Sequence, residues 1–227
     1  SWTIHQGWDA IDMSSRGSQD DFFQNVLNGD AFLYEDSIAL DSTRKFLEIR
    51  KYGQKQTVNT GYDEAVKKFA NGEAYMFFQG NWAYPMIKKI NPDIDLLFMP
   101  FPAYHENQAK VVVKIDATLG VSASCKHLEA VEQFLDYVFS KNVSEYYADK
   151  AGAYSCIKSV DVEDSYAKAF TDSIRSGEFF LEEFAYETEK SDAINALFQN
   201  FISSPQRDTE KSFLKELNDL LIQQKGD

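Results

Sequence analysis

The apolar positions of this 227-residue chain change period along its length. The first third keeps helical spacing. SQDDFFQNVLN, residues 18–28, predicts a helix capped by Ser18 and ended by Gly29. Residues 41–52 predict a second helix, with Phe46, Leu47 and Ile49 apolar and Gly53 closing it. GYDEAVKKFANG, residues 61–72, predicts a third. Its Ala65, Val66, Phe69 and Ala70 share a face, and Gly72 suits the left-handed position just past a helix. The period then shortens. Ala74 to Phe78 reads as a strand bounded by Gly80, and 82–90 as a helix that ends before Asn91-Pro92. IDLLFM, residues 94–99, reads as a strand stopped by Pro100-Phe101-Pro102, with further strands over Lys110–Ile115 and Thr118–Ser122. Strands interleaved with helices predict an α/β domain.

The second half returns to helical spacing. Leu128–Phe139 carries Val131, Phe134, Leu135 and Val138 as its core side. Asn142 is the expected cap of a helix reaching Lys150. Further helices are expected near 163–176, 189–203 and 208–224. The last presents Phe213, Leu214, Leu217, Leu220 and Leu221 on one face, a stripe that belongs to a core. No internal repeat, low-complexity segment or long linker interrupts the pattern.

Composition narrows the chemistry. Lys plus Arg number 23 and Asp plus Glu 36, a net charge of −13 that repels a phosphate backbone and argues against nucleic acid or anionic membrane as partner. The basic pairs Lys67-Lys68 and Lys88-Lys89 read as solvated helix faces. No run of apolar residues is long enough to span a bilayer, and the opening SWTIHQGWDA has neither a basic start nor an apolar signal core. Cys125 and Cys156 have no metal-ligand spacing; they are compatible with one disulfide or with two buried thiols. No G-x-S-x-G elbow or phosphate-binding G-x-x-x-x-G-K occurs. His5, His105 and His127 read as dispersed surface residues. No catalytic residue, metal or cofactor is assigned.

One ordered series is more telling. Phe69-Ala70-Asn71-Gly72-Glu73-Ala74 leads into Tyr75 to Gln79 and then Gly80-Asn81-Trp82. IDLLFM and the Pro100-Phe101-Pro102 turn follow, then Ala117-Thr118-Leu119-Gly120-Val121-Ser122 and Lys126-His127-Leu128-Glu129-Ala130. The Gly152-Ala153-Tyr154 turn and the amphipathic C-terminal helix complete the series. Over about residues 36–224 it resembles the extracellular solute-binding proteins of bacterial ABC importers, in their carbohydrate-binding, maltose-binding-protein-like branch. The resemblance implies a two-lobed α/β clamshell, here mainly the helix-rich C-terminal lobe without most of the first lobe. It implies an α/β core over 1–118, an excursion over 119–155 that packs on the other lobe, and a helical return over 156–227. It also implies a sugar or oligosaccharide ligand, a membrane permease as partner and a monomeric intact protein. A chain lacking the first lobe is expected to self-associate. The implied location is extracellular, as a cell-surface lipoprotein or in a periplasm.

The same resemblance directs attention to Gly80-Asn81-Trp82. A glycine at a strand end allows close backbone approach. Asn81 offers a donor and an acceptor, and Trp82 a flat apolar face with a polar N–H edge, which together suit a pyranose ring. The family's stacking tryptophan is carried to Trp82; the alternative is a core aromatic at a helix start. Asp116 is a candidate acceptor for sugar hydroxyls, or else a turn or cap carboxylate. Trp8, with Trp2, is a candidate cleft residue or a packing residue. Phe180, in Glu178-Phe179-Phe180, and Tyr186 are candidates for a second aromatic wall, and Tyr84 is expected to pack inside. The rival functions are a carbohydrate-active enzyme, which would turn over the sugar it binds, and a helical interaction module, which would ignore sugars altogether.

Overall fold

The computed structural model describes residues 2–16, 21–54, 57–101, 110–114, 118–151, 153–160, 168–182, 188–204 and 209–222. Among these residues the chain forms helices α1 (Trp2–Ser14), α2 (Phe22–Asn28), α3 (Ser37–Arg50), α4 (Tyr62–Ala70), α5 (Tyr84–Ile90), α6 (Leu128–Val138), α7 (Lys141–Ala151), α8 (Lys168–Ser176), α9 (Thr188–Ser203) and α10 (Glu210–Ile222). Strands β1 (Val111–Lys114) and β2 (Phe179–Glu182) pair in parallel, with Val111 opposite Phe179 and Val112 opposite Phe180.

Local chemistry explains where several helices start and stop. The α3 helix begins four residues before its predicted start because Asp36 caps it, its side chain accepting from the Ala39 N–H at 2.8 Å. Gly29, at φ 81°, ends α2, and Gly72, at φ 79°, follows α4; both occupy the left-handed region a β-carbon disfavours. Two expected caps differ from the structure. Ser18 lies outside the described residues, and α2 starts after Asp21. Asn142 sits inside α7, which begins at Lys141.

The strand expectations fare unevenly. Lys110–Ile115 contains β1, but β2 was not foreseen, and the segments 74–78, 94–99 and 118–122 join no ladder among the described residues. A period-two pattern makes a chain extended, whereas a strand also needs a partner for its backbone groups. Residues 94–98 keep the alternation without a ladder: Ile94, Leu96 and Phe98 are half-buried, while Asp95 and Leu97 are exposed.

The chain divides into two compact units. One comprises Ser1–Ala65, Met99–Lys114 and Ser173–Asp227; the other comprises Val66–Phe98 and Ile115–Asp172. In the first, α1, α3, α9 and α10 enclose a continuous core. Phe198 of α9 is its hub: its ring centroid lies 5.9 Å from Trp8, 6.3 Å from Phe46 and 5.0 Å from Phe213. Phe213 also stacks on Phe201 at 4.0 Å. The predicted α10 stripe is buried at Phe213, Leu214, Leu217 and Leu221, and Leu220 packs at its margin. Asn218 interrupts that stripe because it has a task, accepting from the Leu33 N–H at 2.9 Å in a buried hydrogen bond.

The second unit packs smaller groups. Val66, Ala70, Ala83, Ile87, Ala148 and Val160 are buried. Ring pairs Phe69–Phe77, at 5.4 Å, and Phe98–Phe170, at 5.7 Å, lie beside them. The predicted core side of α6 is not buried: Val131, Leu135 and Val138 are half-covered, and Phe134 is 55% exposed.

Candidate ligand-binding turn

The segment between α4 and α5 explains how Gly80-Asn81-Trp82 is held. Gly80 is extended, at φ −84° and ψ 172°, and its N–H donates to the Gln79 side-chain oxygen at 3.2 Å. Asn81–Ala83 then make a single 3-10 turn, with the Ala83 N–H donating to the Gly80 carbonyl at 3.1 Å. Pro85 follows in the first turn of α5, where a missing N–H costs nothing.

The far end of α5 is tied down in two ways. Lys88 Nζ donates to the carbonyls of Pro92, at 3.0 Å, and Ile94, at 2.9 Å. Asn91 Nδ2 donates to the Ala70 carbonyl at 2.9 Å, joining the end of α4 to the end of α5. Lys88 is therefore a tether rather than a freely solvated charge. Sequence spacing did not reveal these tethers; an amide just before Pro92, after a helix, was their one visible sign.

Trp82 is half-buried, and its indole nitrogen faces inward. A β-carbon added to Gly80 would lie 2.1, 2.2 and 2.5 Å from Cζ3, Cη2 and Cε3 of the Trp82 ring. The space above Gly80 is thus taken by the chain's own indole. Tyr84 is half-buried and packs against Phe98 at 6.2 Å.

The other sequence candidates fall elsewhere. Trp8 is fully buried, at 0% exposure, and its indole N–H donates to Thr43 Oγ1 at 2.9 Å. With both faces packed and its polar edge satisfied, Trp8 is a core residue of the first unit and no ligand platform. Phe180, a candidate for a second aromatic wall, is instead buried in that core and paired across the ladder with Val112. Asp116 and Tyr186 lie outside the described residues, as does His105. Glu178 is exposed, and Trp2 packs against Tyr62 at 5.4 Å. Both cysteines are free thiols, Cys125 half-buried and Cys156 exposed. Among the described residues no cluster of His, Cys, Asp and Glu is fit to hold a metal.

The buried charges serve packing. Arg16 Nε donates to Asp12 at 2.5 Å, and its Nη2 donates to Asp36 at 2.6 Å. The same guanidinium lies 3.9 Å over the Phe22 ring. Burial opposes its charge, but the carboxylates of Asp12 and Asp36 outweigh that and raise its pKa. His5 is not the surface residue its sequence neighbourhood suggested. It is largely buried, with Nδ1 2.9 Å from Asn195 Oδ1, and burial lowers its pKa; Asn195 opposes this, while Lys114 adds to it.

Residues 7–144 match the family model of the bacterial extracellular solute-binding proteins, a span that includes the Gly80-Asn81-Trp82 turn. The chain belongs to that family. Its members bind solutes and are not enzymes. The chain is 29% identical over 136 residues to a multiple sugar-binding protein of Streptococcus mutans, across 60% of its own length and 31% of that protein's. Among solved structures it is similar to RafE in complex with raffinose, with a TM-score of 0.73 and 21% identity over 97% of this chain and 58% of that one. RafE is also known in its apo form from Streptococcus pneumoniae. A chitin oligosaccharide binding protein gives a TM-score of 0.72 at 16% identity, covering 98% of this chain and 58% of that one. A Bacillus licheniformis sugar transporter in complex with stachyose gives 0.69 at 17%, covering 96% and 58%. The fold is therefore that of the periplasmic-binding-protein-like sugar binders. The chain spans less than two thirds of the length of these relatives.

Proposed function

We propose that this chain is part of the substrate-binding component of an ABC importer and takes part in capturing a sugar or oligosaccharide. The observation that carries the reading is the half-buried Trp82 on a tethered turn, within the span that matches the family. Relatives whose names record multiple sugars, raffinose, chitin oligosaccharide and stachyose support a carbohydrate over other solutes. Trp82 would supply ring carbons for a pyranose to stack on. Because its N–H faces inward, hydrogen bonds to hydroxyls fall to Asn81 and Asp116 rather than to the indole.

The partner is a membrane permease, and the working place is outside the cytoplasmic membrane, on a lipid anchor or in a periplasm. Intact, the protein works as a monomer. Residues 119–155 pack on the part of a relative-length chain that has no counterpart here. The exposed Leu128, Phe134 and Tyr137 of α6, and Tyr146 and Tyr147 of α7, support that placement.

A thermal-shift screen tests the sugar reading. A ligand that binds the folded state alone raises the melting temperature. Raffinose, stachyose and chitin oligosaccharides are titrated against the chain and against Trp82→Ala. The expected result is a rise with at least one sugar that Trp82→Ala abolishes. A rise that survives the substitution moves the site away from Trp82, and no rise at millimolar sugar counts against a carbohydrate ligand.

A further inference from the structure

Gly80 and Trp82 make one unit of structure. The hypothetical β-carbon on Gly80 is nearly equidistant from three consecutive carbons of the six-membered ring, at 2.1, 2.2 and 2.5 Å. An approach from beyond the ring edge would favour one carbon and leave its neighbours well behind. Near-equal distances instead place the α-carbon of Gly80 over the ring face, with the one hydrogen that a β-carbon would replace directed at the π system. The backbone of Gly80 therefore occupies one face of the indole. It does so with φ at −84°, a conformation any residue can adopt, so the requirement for glycine here is steric and not conformational.

We infer that Gly80 is a positioning residue for Trp82: it seats the indole against the chain's own backbone and so withholds that face of the ring from any ligand. The inference rests on the sugar-stacking reading of Trp82 and adds how the ring is oriented and how many rings it can serve. One face is already in contact with C–H groups of the protein. A sandwich of two sugar rings around Trp82 is excluded. Any side chain at position 80 must push the ring away, because the atoms it would strike are the far end of a side chain with two rotatable bonds and give way before the backbone does. The Asn81–Ala83 turn, held by the Ala83 N–H to Gly80 carbonyl bond, stays in place while the platform turns.

Proton NMR on the full chain tests this in two arms. The first needs no ligand. A Gly80 α-proton over an aromatic face is shifted strongly upfield, and Trp82→Leu must return it to the ordinary glycine range. If wild-type Gly80 shows no such shift, the seating is wrong whatever the ligand is. The second arm titrates raffinose and stachyose. Gly80→Ala is expected to weaken binding roughly threefold to tenfold, the worth of one ring contact, and Trp82→Ala by a similar factor. The double variant should be no weaker than Trp82→Ala alone, because both changes remove one platform. Gly80→Ala that binds as tightly as wild type overturns the positioning role and leaves the sugar reading intact. An upfield Gly80 signal with no response to either sugar instead sinks the sugar reading and, with it, the ligand role assigned to the seat. Unchanged melting temperatures in Gly80→Ala keep a folding defect from imitating the expected loss.

Discussion

The two units of this chain spend their apolar residues differently. The first collects its large side chains inward: Trp8, Phe198, Phe201, Phe213, Leu214, Leu217 and Leu221 are all buried within one cluster. The second buries mostly alanine, valine and isoleucine, and leaves Tyr75, Met76, Leu97, Phe134, Tyr137 and Tyr146 exposed. Tyr75, at 101% exposure, touches almost nothing. Both units draw on similar helical patterns, so amphipathicity alone does not decide burial. What differs is the supply of opposing faces. In the first unit α1, α3, α9 and α10 meet each other, whereas in the second α6 is an amphipathic helix without one fully buried residue. Stability is expected to concentrate in the first unit and recognition in the second, since exposed large apolar groups are the ones available to partners and ligands.

The sharpest way to break that comparison is to truncate one phenylalanine in each unit. Phe198→Ala removes the hub of the first core and should cost about 3–5 kcal/mol of unfolding free energy in urea. Phe134→Ala, on the open face of α6, should stay within about 0.5 kcal/mol. Equal costs would mean that α6 is as well packed as α9, and the contrast would fall.

Next in size is the buried ion cluster. Asp12→Ala leaves Arg16 buried with Asp36 as its remaining named carboxylate, and the loss should be about 3 kcal/mol. The same denaturant experiment reads it. A change below about 1 kcal/mol would show that the cluster sits in far wetter surroundings than its burial indicates.

The smallest effect is a pH dependence confined to the first unit. His5 has its pKa lowered by burial, so between its ordinary value of about 6.5 and its lower folded value the unfolded chain binds the proton and the folded chain does not. Its neutral form therefore supports the fold fully above about pH 6.5, and that support declines as pH falls from there toward the folded pKa. His5→Asn should flatten the melting-temperature profile between pH 7.5 and 5 relative to wild type. Parallel profiles for the two proteins would remove His5 as the source.

Much of the helical layout was legible in the residues themselves. The α10 stripe, the glycines after α2 and α4, and the end of α5 before Asn91-Pro92 all follow from periodicity and backbone chemistry within a few residues of each other. Strands were less legible. The run 94–99 alternates as a strand should, yet it has no ladder partner among the described residues, while β2 begins two residues after Gly177 and offered little pattern of its own. The three tryptophans show the same limit. Each is large, flat and apolar, and although Gly80-Asn81 marks out Trp82, the neighbours of each left both a cleft role and a packing role open. Only packing separates Trp8, whose N–H is satisfied by Thr43 inside a core, from Trp82, which is half-buried on a turn.

By itself the sequence determined the helices, the acidic character, the family and the unusual order Gly80-Asn81-Trp82, because these depend on residues near one another or on simple counts. The tertiary structure decided which apolar faces found a partner, which aromatic rings kept a surface, and why a glycine stands two residues before Trp82. That glycine makes room for the indole, a relation set by a folded-back ring, and no pattern of apolar and polar positions records it.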